Sequence, residues 1–270
     1  MKKICIIIVS SILFIIIIQW FILYTPSDNF IALDTIDNNK INFNLLLSPQ
    51  YQITPINLYY INLDTSIDRK KRLLLRMSEF TNYNTIRVKA ITPTDLSYYR
   101  IELPSHCIMT DKEKSCLLSH FKAIQQSYNN NDPYSIIAED DIILEKNINW
   151  EYLISLLPNN WEIIQLYYFK FPFKNNSEFK LLQKKNFLIK TNNSLTSAAA
   201  YLINKKGMQN VLSHFNHNHL NLLNHTTMCP ADYVIFHNTN RYILTYPIIK
   251  TEEIDSTLHP HHILFRMFYL

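Results

Sequence analysis

YSIIAEDDIILE, residues 134–145, is the stretch on which the reading of this 270-residue chain turns. An apolar run, Tyr134–Ala138, predicts a buried strand, and three consecutive carboxylates, Glu139, Asp140 and Asp141, close it before a second apolar run begins. Adjacent carboxylates repel one another and lose hydration beside Ile137 and Ile142, which is unfavourable unless a cation compensates. A hard divalent ion such as Mn²⁺ or Mg²⁺ takes oxygen ligands, so the triplet is assigned to a metal, with Asp141 and its neighbour Asp140 as ligands. The plain alternative is a solvated turn after a strand.

Working outward, Pro55–Asn62 reads as a buried strand and Asp64–Asp68 as a turn into a helix with Leu74, Met77 and Phe80 as its apolar stripe. Thr85–Ile91 is a second strand. Thr110-Asp-Lys-Glu113 is a capping box opening a helix that carries Leu117, Phe121, Ile124 and Tyr128 at helical spacing. Trp161–Tyr168 and Ser197–Ile203 are further strands, followed by helices around Lys205–Phe215 and Asp232–His237. Strands alternating with helices predict an α/β domain with a mostly parallel central sheet. Ligands of such sheets gather at the carboxyl ends of the strands, where the triplet falls.

Composition narrows the chemistry. Gly207 is the only glycine, which excludes glycine-rich phosphate cradles. Two of the formal +4 charges belong to Lys2 and Lys3, no strongly basic tract follows Arg76, and nucleic acid is not an expected partner. The cysteines are Cys5, Cys107, Cys116 and Cys229. Their spacing fits neither a zinc ribbon nor a disulfide framework, and one bridge among the last three is open without a choice of pair. His214, His217, His219 and His225 lie near Cys229 but lack zinc-ligand spacing, and a polar loop is the better reading.

Residues 4–24, ICIIIVSSILFIIIIQWFILY, carry no charge and are long enough to span about 30 Å of hydrocarbon. No short apolar core with a small-residue cleavage site is seen, so 1–24 is read as an uncleaved anchor, with a cleaved signal as the alternative, and 25–52 as a stem. Lys2 and Lys3 before the span predict a type II topology, with the 53–270 domain outside the cytosol. A Golgi or ER lumen is expected, with a bacterial inner membrane as the alternative. Asn175, Asn192 and Asn224 stand in glycosylation sequons, though chance matches are common in so Asn-rich a chain.

The motifs in order resemble glycosyltransferase family 25, which includes lipopolysaccharide and lipooligosaccharide sugar transferases and collagen galactosyltransferases. Ile61-Asn-Leu-Asp64 with Asp68-Arg69 and Arg72 is similar to the family's opening motif. Val88-Lys-Ala90 with Asp95-Leu96, Ser115-Cys-Leu-Leu-Ser-His120, Ala138-Glu-Asp-Asp141, Ala200-Tyr-Leu-Ile203 with Gly207, and Pro230-Ala-Asp232 follow in the family's order. Ser115 stands where the family usually has glycine, which puts a special backbone conformation there in doubt.

The resemblance implies a GT-A type nucleotide-sugar-binding fold, a UDP-sugar donor (often of galactose or glucose), a divalent cofactor and inversion at the anomeric carbon. The implied acceptor is a glycan, a lipid-linked glycan or a hydroxylated protein. Asn62 and Arg69 become candidates for nucleotide contact, Arg72 a weaker one, and Ser119 and His120 site residues on the capped helix. Glu139 and Asp140 would meet metal-bound water or ribose, and Asp232 is the candidate general base. Against these stand ordinary roles: the wet face of a helix for the arginines, a structural hydrogen bond for His120, a helix cap for Asp232. His259, His261 and His262 are weaker metal candidates. The rival from another class, a non-catalytic sugar-binding relative, is opposed by the intact carboxylates.

Overall fold

The computed structural model describes residues 35–37, 41–48, 54–168, 186–190, 197–225, 229–246 and 248–252. All belong to one compact unit, Ala32–Leu270. The anchor at 1–24, most of the stem, the sequons at Asn175 and Asn192, and His259, His261 and His262 lie outside the described residues. Among the described residues no helix is long and apolar enough to cross a membrane.

In chain order the elements are β1 (Thr35–Asp37), α1 (Phe43–Leu46), β2 (Ile56–Asn62), α2 (Ile67–Met77), β3 (Tyr83–Lys89), a 3₁₀ turn (Pro93–Tyr98), β4 (Arg100–Glu102) and α3 (Asp111–Asn129). Then follow β5 (Tyr134–Glu139), β6 (Ile142–Leu144), α4 (Trp150–Ser155), β7 (Ile163–Gln165), β8 (Asn186–Lys190), β9 (Ala200–Asn204) and α5 (Lys205–Leu212). Last come β10 (Phe215–Asn216), β11 (His219–Asn221), α6 (Ala231–Phe236), β12 (Arg241–Leu244) and β13 (Ile249–Thr251).

The main sheet runs β1-β8-β12-β7-β9-β5-β2-β3. It is mixed, which corrects the mostly parallel sheet expected from the strand–helix alternation. β3, β2 and β5 are parallel neighbours, as are β7 and β12, but β9 runs antiparallel to both β5 and β7, and β8 antiparallel to β1 and β12. The sequence hid this because β9, buried through Ala200–Ile203, carries the same unbroken apolar run as a parallel strand covered on both faces. Pattern encodes burial, not direction.

Alternation along β2 builds two cores. Leu58 and Tyr60 face one layer with Leu73, Met77, Trp150 and Leu153 of α2 and α4. Tyr59 and Ile61 face the other, with Leu117, Leu118, Phe121 and Ile124 of α3, Met208 and Val211 of α5, and Val234 to Phe236 of α6. The apolar stripe of α2 is Leu73 and Met77, not Leu74, which is 39% exposed; Phe80 lies past the helix end.

The capping box of α3 forms as read: Glu113 N donates to Thr110 Oγ1, and Thr110 N donates to Glu113 Oε2 at 2.7 Å. Ser115 is ordinary buried helix, so no special backbone conformation exists where the family usually has glycine. Gly207 is required by packing: a Cβ there would lie 2.6 Å from the Glu162 carbonyl oxygen. Cys107 and Cys229 are bridged with a Cα–Cα separation of 5.6 Å, settling the pair the sequence left open. The bridge fastens the segment before α3 to the start of α6.

Candidate active site

β2, β3 and β5 end together, and their carboxyl ends carry Asn62, Lys89 and Glu139. Glu139 is the last residue of β5, and Asp140 and Asp141 form the turn into β6. The chain folds back there because β13 pairs antiparallel with β6, and Glu252 just beyond β13 donates its backbone N–H to Asp141 O at 2.7 Å. Glu252 is itself buried and held by Arg72 in a two-pronged pair (3.0 and 2.9 Å) and by Arg76 at 2.6 Å. Arg72, a weak nucleotide candidate in the sequence, anchors the strand that supports the triplet turn.

The three carboxylates differ. Asp140 is 6% exposed; Asn62 Nδ2 donates to its Oδ2 at 2.7 Å, and Arg69 Nη1 lies 3.2 Å from its Oδ1. Burial still pushes its carboxyl up, against the lowering pull of Asn62 and Arg69. Asp141 Oδ1 is buried without a hydrogen-bond partner. Burial first, then the charges of Glu139 and Asp140, raise the Asp141 carboxyl to about 7. Glu139 is about one-third exposed, with Oε1 3.6 Å from Nε2 of the buried His120.

Asn62 is fully engaged. It gives its second amide hydrogen to Ser66 O at 3.1 Å and accepts from Arg87 Nε at 3.0 Å. Arg69, 17% exposed, also donates to Ser66 Oγ. Both residues reach the site, but through Asp140.

Ser119 accepts from Ile91 N at 2.8 Å and donates to Ser115 O at 2.7 Å, tying the loop after β3 to α3. That loop borders a cavity of about 200 Å³ lined by Lys89, Asp95, Tyr98, Tyr99 and Lys122 among others. Tyr98, Tyr99 and Lys122 were missed in the sequence. No periodic pattern marks them: Tyr98 and Tyr99 lie at the 3₁₀ turn after β3, and Lys122 is a polar position within α3.

Asp232 sits in the first turn of α6, behind Pro230 at the N-cap, and its Oδ1 accepts from Tyr233 N at 3.1 Å. Burial and then the carboxylates of Glu139, Asp232 and Glu113 push the Cys116 thiol well up, so Asp232 is within electrostatic reach of the Glu139 end of the site. Elsewhere, His219 pairs with Glu102 at 3.0 Å, and His225 packs against His214 and His237 through ring contacts. The described part of that histidine cluster forms no metal-ligand group.

A family model for glycosyltransferase family 25 (LPS biosynthesis protein) matches residues 56–235, which takes in β2, α3, β5 and the triplet but not β13. The chain belongs to glycosyltransferase family 25. It is accordingly a glycosyltransferase, and its partners are a nucleotide sugar and a glycan acceptor. No curated protein matches it significantly.

Among solved structures, a glycosyltransferase involved in glycosylation of the major capsid of PBCV-1 is similar at 11% identity and a TM-score of 0.39, over 68% of this chain and 75% of that one. GlyE of Streptococcus pneumoniae TIGR4 is similar at 11% identity and a TM-score of 0.38, over 71% of this chain but only 45% of GlyE. Mouse xyloside xylosyltransferase 1 is similar at 13% identity and a TM-score of 0.35, over 75% and 77% of the two chains. Likeness at this level says nothing of donor or acceptor.

Proposed function

We propose that this family 25 chain is a membrane-anchored, metal-dependent, inverting hexosyltransferase of GT-A type. It moves galactose or glucose from a UDP-sugar to a glycan, a lipid-linked glycan or a hydroxylated protein. The observation that carries the reading is Asp141, whose buried Oδ1 has no hydrogen-bond partner beside two further carboxylates. An anion so placed fits a hard divalent cation such as Mn²⁺ or Mg²⁺. Asp140, already engaged by Asn62 and Arg69, is better suited to hold the turn than to ligate directly. When bound, the ion would supply Lewis-acid stabilisation of the departing diphosphate.

The remaining roles fall to side chains. The cavity beside Lys89 and Lys122 would take the nucleotide, with Tyr98 and Tyr99 offering ring faces to the base. Asp232 would accept the acceptor hydroxyl's proton as the oxygen attacks in line. Ser119 and His120 act from α3, one fixing the loop at the cavity and the other facing Glu139.

An oxidising compartment is supported by the Cys107–Cys229 bridge, because disulfides persist in secretory lumens and the periplasm and are rare in the cytosol. Together with Lys2 and Lys3 before the uncharged span, this favours a type II anchor with the catalytic domain in a Golgi or ER lumen. Protease protection on membranes tests the topology: the domain should survive digestion from the cytosolic side, and its loss there would overturn the orientation. Release of UDP from a panel of UDP-sugars by the detergent-solubilised full chain tests the activity.

A further inference from the structure

We propose that Cys116, His120 and Glu139 form a second cation site, selective for a borderline-soft divalent ion of the Zn²⁺ class and distinct from the oxygen site at Asp141. Cys116 and His120 are one helical turn apart on α3, so both side chains leave the same face. That face meets the carboxyl end of β5, where Glu139 stands. The Sγ, imidazole nitrogen and carboxylate oxygen of the three residues all lie within 4.8 Å of one another. Ligands on a tetrahedral zinc are separated by roughly 3.3–3.8 Å, given bonds of about 2.0–2.3 Å, so small side-chain rotations close the set.

His120 supplies the second, independent observation. The residue is 1% exposed, and its Nε2 has no hydrogen-bond partner while pointing toward Glu139 Oε1 at 3.6 Å. Its Nδ1 lies 3.3 Å from the Tyr201 hydroxyl, which can hold the ring with the proton on Nδ1 and the Nε2 lone pair toward Cys116 and Glu139. With the proton on Nδ1, the buried Nε2 lone pair faces a carboxylate, an unfavourable pairing that a cation between them relieves. A metal-bound histidine usually has its other nitrogen fixed in this way by an outer partner. Sulfur and imidazole together select Zn²⁺ or Co²⁺ over Mn²⁺ and Mg²⁺, whose preference for oxygen sends them to Asp141. Binding forms one metal–sulfur bond and releases the Cys116 thiol proton to solvent. Three protein ligands leave the fourth position open to water.

Co²⁺ added to the detergent-solubilised full chain tests the site, because a Co–S bond gives a near-ultraviolet thiolate charge-transfer band that oxygen sites lack. With Cys107 and Cys229 bridged, only Cys5 and Cys116 can produce it. The band should appear with one equivalent of Co²⁺ and be displaced by Zn²⁺. It should survive Cys5→Ser, vanish in Cys116→Ser and His120→Ala, and need about 10- to 100-fold more Co²⁺ in Tyr201→Phe. Absence of the band in folded wild-type protein, or its persistence in Cys116→Ser, would overturn the proposal. Cys116→Ser changes a single atom, so the question stays decidable even where His120→Ala fails to fold.

Discussion

Asn62 Nδ2 donates to Asp140 Oδ2 at 2.7 Å, joining the end of the first long strand to the middle of the acidic triplet across 78 positions of sequence. With Arg69 on the other oxygen, this contact divides the triplet into one neutralised carboxylate and two that face the site. Removing Arg69 leaves Asp140 buried with only an amide for company. Arg69→Met should therefore lower stability by roughly 1–3 kcal/mol in urea denaturation. Adding Asp140→Asn should recover part of that loss. Simple additivity of the two changes would show that the pair is not coupled.

Asp141 sets a pH dependence. Its folded pKa of about 7 lies above the ordinary 3.8, so folding is favoured by its protonation and loses that contribution as pH climbs between those values. The cost above pH 7 is on the order of a few kcal/mol. In EDTA, Asp141→Asn should melt higher than wild type at pH 8, with the gap narrowing toward pH 5. Added Mn²⁺ should shrink the gap at pH 8. A pH-independent gap would mean that Asp141 ionises as freely folded as unfolded.

Asp232 offers a separation of base from cap. Its Oδ1 accepts from Tyr233 N, and an asparagine oxygen at the same place still can. Asp232→Asn should thus keep its melting temperature and UDP-sugar affinity while kcat falls by about 10²–10⁴. Earlier melting with normal turnover would make Asp232 a helix-start residue only.

Much of this site was legible because its parts are local. The triplet, the capping box at Thr110 and the Pro230 entry to α6 each announce themselves within a few residues, and the structure puts them where the pattern placed them. What stayed hidden is non-local. Nothing in β9 tells that it runs against β5, nothing near Asn62 tells that both its amide hydrogens are taken, and Arg72 meets Glu252 from 180 residues away. The Cys107–Cys229 pair was hidden for the same reason: only the fold decides which cysteines meet.

The most direct test of the central claim is UDP release by the full chain with a UDP-sugar and acceptor, read with Mn²⁺, with EDTA, and in Asp141→Asn. An anionic oxygen at residue 141 is what the proposed metal site requires, and an amide cannot replace it. Release should depend on Mn²⁺, stop in EDTA, and be abolished in a folded Asp141→Asn protein. Undiminished release in EDTA or in Asp141→Asn would contradict the metal site and with it the mechanism proposed for this chain.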